Sequence, residues 1–147
     1  MKGKGIALEI LIVEDSPSDV FLVKEALKQT AKTCRVHVVS DGVEAMDFLR
    51  NQGPYGQAPR PDLILLDLNM PRKDGREVLL EIKNDEKLKS IPVLVLTSSS
   101  ADQDIHKAYS LHANCYITKP ADFARFKAVI SAIQGFWFGN VTLPPHE

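Results

Sequence analysis

The chain has 147 residues, of which 44% are hydrophobic, and its 18 basic and 19 acidic side chains give a net charge of −1. A chain of this length can bury the core of one domain. The balanced charge argues against nucleic-acid binding, which needs clustered Lys and Arg side chains to contact phosphates. No stretch approaches the ~20 apolar residues that cross a bilayer, and the N-terminal apolar segment is too short for a signal peptide. We therefore expect a cytoplasmic protein without membrane or nucleic-acid partners.

The cysteine and histidine residues give no sign of a disulfide or a zinc-type site. Cys34 and Cys115 are far apart in the chain and fit no CxxC spacing. The four histidines show no metal-ligand spacing either. Free thiols in a reducing compartment are therefore the expected state of both cysteines.

The first part of the chain alternates short apolar runs with helical patterns. A strand is predicted at about residues 7–13, and it ends at Glu14–Asp15. Ser16–Pro17 then supplies an N-cap and a first-turn proline to a helix. A second strand, predicted at 35–39, leads into a helix that begins after Asp41–Gly42.

The alternation continues after a loop at residues 51–61, whose two Gly and three Pro exclude a central strand. Strand three is predicted at 62–66 and ends at Asp67. The remaining predicted elements are a polar turn at 69–75 with a helix after it, strand four at 91–96, a hydroxyl cluster at 97–100, a helix at about 102–111, strand five at 115–118, and a last helix at about 122–133.

Five strands alternating with five helices predict an α/β fold with a doubly wound parallel sheet. Right-handed crossovers leave few topologies, and we expect the strand order 2-1-3-4-5. In that order strands one and three are neighbours at the switch point. Because ligands of such sheets bind at the carboxyl ends of the strands, Glu14, Asp15 and Asp67 are expected in one crevice.

Three clustered carboxylates repel one another, so they stay ionised together only with a cation among them. An oxygen-only set of this charge favours a hard divalent ion such as Mg²⁺. Lys119, at the end of strand five, is a candidate for a second positive charge in the crevice.

These residues together resemble the receiver domain of bacterial two-component response regulators, over about residues 9–133. Thr97 and Lys119 follow Asp67 by 30 and 52 residues, the intervals typical of that family. The matched elements are the acidic pair Glu14–Asp15, Asp67 with its following turn, Thr97, Tyr116 and Lys119–Pro120. Five elements in family order are far more specific than a lone short motif. The resemblance implies a flavodoxin-like receiver fold.

The resemblance also implies a chemistry. Asp67 would accept a phosphoryl group from a phosphohistidine of a sensor kinase, with Mg²⁺ neutralising the charge on the transferred group. The ion would be bound by Asp15, Asp67 and the main-chain carbonyl of Asn69, and by Glu14 through water. Lys119 would contact the phosphoryl oxygens as a compact positive charge.

The family's switch implies roles for two further side chains. The Thr97 hydroxyl would move towards the phosphoryl group, and Tyr116 would rotate into the space that it leaves. The surface of helix four, strand five and helix five would change as a result. The family commonly has a cis bond before the proline that follows its lysine, so we expect Lys119–Pro120 to be cis.

The C-terminal segment carries three adjacent aromatic residues, Phe136, Trp137 and Phe138. Adjacent side chains cannot all face one core, so we divide the chain into a receiver domain at 1–134 and an aromatic extension at 135–147. The extension either covers the end of the sheet or, as we prefer, forms a homodimer or partner surface. The whole pattern looks like the single-domain response regulators that pair with cyanobacterial-type phytochromes, in which this region supports a homodimer.

We therefore expect a phosphorylated switch without an attached output domain, taking its phosphoryl group from a histidine kinase, with a phytochrome favoured. It would act as an enzyme only in its own phosphorylation and dephosphorylation. The alternatives are a metal-dependent phosphatase with Asp67 as nucleophile, a phosphorelay intermediate, and an unphosphorylated adaptor. The downstream target is left open.

Overall fold

The structure, a computed structural model, describes residues 8–28 and 34–145. Within these residues five strands alternate with five α-helices. The elements are β1 (Leu8–Val13), α1 (Pro17–Leu27), β2 (Cys34–Val39), α2 (Gly42–Leu49), β3 (Leu63–Leu66), α3 (Gly75–Asn84), β4 (Val93–Thr97), α4 (Asp102–Ser110), β5 (Cys115–Thr118) and α5 (Phe123–Ile133). A short 3-10 turn, Gly53–Tyr55, lies in the loop between α2 and β3.

The sheet is parallel throughout and its strand order is β2-β1-β3-β4-β5, which confirms the predicted topology. In the register, Val13 lies opposite Val39 on one side and Leu66 on the other. The carboxyl ends of β1 and β3 therefore lie side by side. The residues that follow them, Glu14 and Asp67, emerge at the same edge of the sheet.

The core has two layers because each face of the sheet is covered by helices. Leu11 and Val13 point to the layer beneath α2, α3 and α4. Ile10 and Ile12 point to the opposite layer beneath α1 and α5. Every residue of β3 and β4 is buried, which is the pattern of central parallel strands. This packing fixes the strand ends on which the acidic side chains depend.

The observed boundaries differ from the predicted ones by at most two residues, and β5 has the predicted bounds. β4 begins at Val93 instead of 91, after Pro92, which has no backbone N–H for the ladder. It ends at Thr97, one residue later than predicted, so the Thr97 side chain belongs to the buried sheet and not to the loop. Ala7, the first residue of the predicted first strand, lies outside the described residues.

The expectation of a cis bond at Lys119–Pro120 is wrong for this structure. No peptide bond of residues 8–28 or 34–145 is cis. Trans is the lower-energy isomer of X–Pro bonds by roughly 0.5–1 kcal/mol.

The aromatic segment continues α5 as a π-helical turn, Gln134–Phe138. Phe138 is only 4% exposed and belongs to the core layer beneath α1 and α5, whereas Phe136 is 56% exposed. Trp137 is partly buried and meets Phe136 edge-on, with 5.9 Å between ring centroids. Consecutive residues of a helical turn point in different directions, so one aromatic faces inwards and another outwards. Phe138 is thus not available as a dimer contact, contrary to its assignment from the sequence.

Two further expectations concern the thiols and the membrane. Cys34 and Cys115 are free, as predicted, and burial raises the pKa of both thiols. Among the described helices, none is both long enough and apolar enough to cross a bilayer.

Candidate functional site

The acidic residues converge because backbone hydrogen bonds hold the strand ends together. The Glu14 N–H donates to the Val39 carbonyl, and the Asp67 N–H donates to the Val13 carbonyl, both at 3.0 Å. Carboxylate oxygens of Glu14, Asp15 and Asp67 all lie within 4.8 Å of one another. The structure therefore brings together the three acids that the sequence placed in one crevice.

Lys119 enters this cluster from the end of β5. Its backbone N–H donates to the Thr97 carbonyl at 2.7 Å, which holds the lysine beside the end of β4. Its ammonium nitrogen Nζ donates to Asp67 Oδ2 at 3.1 Å and to Asp19 Oδ2 at 2.8 Å, and it is in close contact with Glu14 Oε1. The Lys119 side chain is only 9% exposed. The predicted lysine thus lies among the acids, as an internal counter-ion.

Burial and charge shift three pKa values at this site. Burial lowers the pKa of Lys119, but its hydrogen bonds to Asp19 and Glu14 outweigh this effect and raise the pKa above its usual value. Burial raises the pKa of Asp67, but the Lys119 charge and the polar groups around the carboxylate together outweigh this effect and lower the pKa. For Glu14 burial prevails: it raises the pKa to about 7 despite the Lys119 hydrogen bond, and the Asp67 charge adds to the increase. At neutral pH, Asp67 is thus a carboxylate beside an ammonium.

The loop after β3 packs tightly against Asp67. The Asn69 N–H points at Asp67 Oδ1 from 3.3 Å, and the Gly75 N–H donates to the Leu68 carbonyl at 2.9 Å. A Cβ atom on Gly75 would lie 2.3 Å from the Asp67 carbonyl oxygen. Glycine is therefore required where α3 begins, and the loop that carries Asn69 is held next to the acidic cluster.

Thr97 has a buried hydroxyl without a hydrogen bond. The residue is 0% exposed, and its Oγ1 has no partner among the described residues. The hydroxyl is near enough to help lower the pKa of Asp67, yet its geometry does not complete a hydrogen bond. It is an unused donor facing the acidic crevice.

Tyr116 belongs to a second network, which anchors the loop between β4 and α4. Its hydroxyl donates to the Ser99 carbonyl at 2.9 Å, and its partly buried ring packs against the core. The Ser99 hydroxyl donates to Asp104 Oδ2 at 2.5 Å, and Asp104 is paired with Arg76 of α3 at 2.7 Å. The position of Tyr116 is thus tied to the loop after Thr97 and, through that loop, to α3 and α4.

The sequence reading missed Asp19, Arg76 and Asp104. Asp19 lies four residues after Asp15, in the first turn of α1, so its closeness to the end of β1 could have placed it at the same crevice. In the sequence, however, it looks like an ordinary acid in the first turn of a helix. Acids are common there because the positive end of the helix dipole stabilises their charge. The Arg76–Asp104 pair joins residues 28 positions apart on two helices, and no local pattern reports such a contact.

The acidic cluster fits a divalent cation. Its donors are carboxylate oxygens only, the ligands that hard cations such as Mg²⁺ and Mn²⁺ prefer. One of the three acids, Asp15, is exposed, whereas Glu14 and Asp67 are buried. The site therefore combines two buried carboxylates with a third that is open to solvent.

This arrangement of acids, lysine and hydroxyl on a 2-1-3-4-5 sheet agrees with a comparison with known families. The family model described as the response regulator receiver domain matches residues 10–131. The chain belongs to this family. The match begins within β1 and ends within α5, so it includes the other four strands in full.

The chain is also similar to particular response regulators. Response regulator Rcp1 of Synechocystis sp. is 50% identical over 135 residues, which cover 92% of each chain. A crystal structure of the Mn²⁺-bound form of Rcp1 matches with a TM-score of 0.91 at 48% identity, covering 94% of this chain and 99% of that one. The phosphorylated cyanobacterial phytochrome response regulator RcpA matches with a TM-score of 0.92 at 50% identity, covering 95% and 99%.

Proposed function

We propose that this receiver domain is a signalling switch that accepts a phosphoryl group on Asp67 from a histidine kinase, with Mg²⁺ as its cofactor. One observation carries the proposal. The Asp67 side chain is 10% exposed, lies 3.1 Å from the Lys119 ammonium, and shares a cluster of carboxylate oxygens with Glu14 and Asp15. Few other functions need a buried carboxylate between a lysine and a metal-binding acid pair.

The chemistry follows from the charges of these groups. A carboxylate oxygen of Asp67 attacks phosphorus, the bond from phosphorus to the kinase imidazole breaks, and the imidazole leaves with the electron pair. The lowered pKa of Asp67 keeps the nucleophile ionised at neutral pH. The Lys119 donor that now contacts Asp67 Oδ2 passes to a phosphoryl oxygen. Bound at Glu14, Asp15 and Asp67, with the Asn69 carbonyl, Mg²⁺ would neutralise charge on the phosphoryl oxygens.

Switching begins at Thr97, whose free hydroxyl is the nearest unused donor. A phosphoryl group brings roughly −1.5 to −2 charges and three acceptor oxygens into the crevice. We propose that Thr97 turns towards them, which changes the packing beneath Tyr116 and the loop that Tyr116 holds. The surface of α4, β5 and α5 then carries the signal to a downstream partner.

The proposed partners are a histidine kinase, specifically a phytochrome, and a second copy of the chain. The first is supported by the similarity to RcpA, a phytochrome response regulator, at 50% identity. The second is supported by Phe136, which exposes more than half of its surface beside Trp137. Two free thiols support a reducing compartment, the cytoplasm. Beyond its own phosphorylation and dephosphorylation, we propose no enzymatic turnover.

The decisive experiment is phosphotransfer to the Asp67→Asn variant. We expect wild-type protein to gain acid-labile phosphate from a phosphorylated phytochrome kinase or from acetyl phosphate, and the variant to gain none, because an amide is not a nucleophile. Asp102→Asn is the matched control, since Asp102 is an exposed aspartate in the first turn of α4. Full labelling of Asp67→Asn would remove this residue from its role. Sustained hydrolysis of phosphomonoesters would favour a phosphatase instead.

A further inference from the structure

We propose that Asp19, in the first turn of α1, is a positioning residue that holds Lys119 in place during phosphoryl transfer. The inference rests on the proposed function, because it gives the lysine of that reaction a dedicated partner. Asp19 does not touch the reacting atoms; it acts through the ammonium group of Lys119.

The geometry of the ammonium group is the first argument. A lysine ammonium has three N–H donors, and here three carboxylates receive them. Asp19 Oδ2 lies 2.8 Å from Nζ and Asp67 Oδ2 lies 3.1 Å away, while Glu14 Oε1 makes the third contact. The Lys119 side chain is 9% exposed and that of Asp19 is 28% exposed. Asp19, at the rim of the crevice, therefore accepts one of the three hydrogen bonds of the Lys119 ammonium.

The second argument is that the Asp19 carboxylate is not used to cap its own helix. An acid at the third helical position commonly reaches back to the N–H of the N-cap residue. In α1 that N–H belongs to Ser16 and donates to Glu14 Oε2 at 3.1 Å. The Ser16 side chain still caps the helix, because the Asp19 N–H donates to the Ser16 hydroxyl oxygen at 3.3 Å. The usual role of this acid is thus taken by Glu14, and Asp19 turns to the lysine.

The third argument is the division of work among the acids. Glu14 and Asp67 belong to the group of oxygens that fits a metal ion, whereas Asp19 does not. If Glu14 and Asp67 held a metal ion and Asp67 carried a phosphoryl group, Asp19 would remain the carboxylate that hydrogen-bonds only to Lys119. It restrains a long, flexible side chain whose free rotamers would otherwise oppose contact with the phosphoryl group.

The electrostatics of Lys119 agree with this role. Burial alone lowers the pKa of the ammonium, and the hydrogen bond to Asp19 is the strongest of the interactions that raise it again. Asp19, which is not one of the acids that fit a metal ion, thus helps Lys119 to keep its positive charge.

The test compares Asp19→Asn with wild type and with Glu25→Gln in the full chain. Glu25 is a matched control, since it is also an acid of α1 that pairs with a lysine. Its pair is at the surface, with Glu25 Oε1 2.9 Å from Lys28 Nζ. We measure the rate constant of phosphorylation by acetyl phosphate over a series of Mg²⁺ concentrations. For Asp19→Asn we expect the rate constant at saturating Mg²⁺ to fall about ten-fold, the size of one charge-assisted hydrogen bond. Its half-saturating Mg²⁺ concentration should change little, and Glu25→Gln should match wild type.

Two outcomes would overturn the inference. An unchanged rate at saturating Mg²⁺ would show that Lys119 needs no help from Asp19. A rise in the half-saturating Mg²⁺ concentration alone would show that Asp19 acts only as a negative charge near the metal. Asp19→Glu, which keeps the charge on a longer stem, should recover part of the lost rate and serves as the second variant if Asp19→Asn folds poorly.

A second measurement separates this inference from the proposed function. In metal-free protein labelled with nitrogen-15, the buried Lys119 ammonium should give a slowly exchanging signal, identified by its absence in Lys119→Arg. We expect that signal to broaden beyond detection in Asp19→Asn and to persist in Glu25→Gln. If wild-type protein is never phosphorylated, the proposed function fails, and this signal alone decides about Asp19. A signal unchanged in Asp19→Asn would refute the inference even if phosphorylation occurs.

Discussion

Glu14 and Thr97 are placed in positions that cost the folded state free energy. Glu14 is a carboxyl group buried next to another carboxylate, and Thr97 has a hydroxyl that is buried without a hydrogen bond. An unpaired buried polar group typically costs about 1–3 kcal/mol. Both groups face the crevice where a cation and a phosphoryl group are proposed to bind. The phosphoryl group would supply the partner that Thr97 lacks, and the cation would offset the repulsion between Glu14 and Asp67.

The shifted pKa of Glu14 makes a prediction about stability and pH. Its folded-state pKa of about 7 lies above the ordinary value of 4.5, so the folded state holds the proton more tightly than the unfolded state. The resulting stabilisation is complete below pH 4.5 and is lost as the pH rises through 7. In metal-free protein we expect the free energy of unfolding to fall between pH 5 and 8 by on the order of 2 kcal/mol from this group.

Urea unfolding in the presence of a chelator measures this dependence. The Glu14→Gln variant cannot take up the proton, so the difference between the two proteins isolates the contribution of Glu14. Asp67 does not interfere, because its lowered pKa places its own loss of stability at acidic pH. Parallel curves for wild type and Glu14→Gln would contradict the assignment.

At the level of elements, α3 begins in direct contact with the backbone that carries Asp67. A Cβ on Gly75 would lie 2.3 Å from the Asp67 carbonyl oxygen and 2.6 Å from the Leu68 Cα atom. Both are backbone atoms, which cannot move aside as a flexible side chain could. The start of α3 and the proposed phosphoacceptor therefore share one rigid junction.

Gly75→Ala tests this junction. We expect the substitution to lower the free energy of unfolding by about 2–3 kcal/mol and to slow phosphorylation, because Asp67 must shift. Gly56→Ala is the control: nothing lies within 4 Å of its Cβ position, and in an exposed turn the change should be neutral or stabilising by about 0.5 kcal/mol. Thermal unfolding and acetyl phosphate labelling report the two effects. Equal behaviour of the two variants would argue against the close contact at Gly75.

The loop between β4 and α4 is held by elements from both sides. Tyr116 of β5 binds the Ser99 carbonyl, and Asp104 of α4 binds the Ser99 hydroxyl while it pairs with Arg76 of α3. A displacement of Thr97, two residues before Ser99, therefore acts on three elements at once. This gives the proposed switch a physical route to the surface of α4 and β5.

At the scale of the whole molecule, the aromatic extension is partly a component of the core. Phe138 closes the layer beneath α1 and α5, and Gln134 donates to the Leu27 carbonyl at 3.1 Å. The extension therefore buries Phe138 in the core and leaves Phe136 at the surface. The dimer or partner surface expected from the sequence stays a prediction.

The proposed homodimer is tested by sedimentation equilibrium at roughly 50 μM, a concentration at which even a modest specific interface is populated. We expect wild type to be dimeric and Phe136→Glu to be monomeric, since the charge would be buried in the interface. Leu80→Glu is the control, because Leu80 is 46% exposed on α3, which covers the opposite face of the sheet. A monomeric wild type, or an Phe136→Glu variant that stays dimeric, would contradict the proposal.

Much of this protein follows from local patterns in the chain. Apolar runs separated by turn-forming residues predicted all five strands, because buried parallel strands need continuous apolar sequence. Their order followed because crossover connections are right-handed. The same reasoning brought Glu14, Asp15 and Asp67 to one edge of the sheet. Lys119 was a candidate for the same crevice because it ends strand five. The roles of Thr97 and Tyr116 followed from the family resemblance, which fixes spacing but not contacts.

The tertiary structure alone decided the contacts that depend on distances between elements. Asp19 meets Lys119 across 100 residues, and Arg76 meets Asp104 across 28. The structure also buries Phe138 and exposes Phe136, although both were assigned to the same surface from the sequence. Local sequence determines which elements form and which edge their ends share, because period and turn chemistry act over a few residues. Which side chains then meet there, and which remain unpaired, depends on packing between distant segments that no local pattern records.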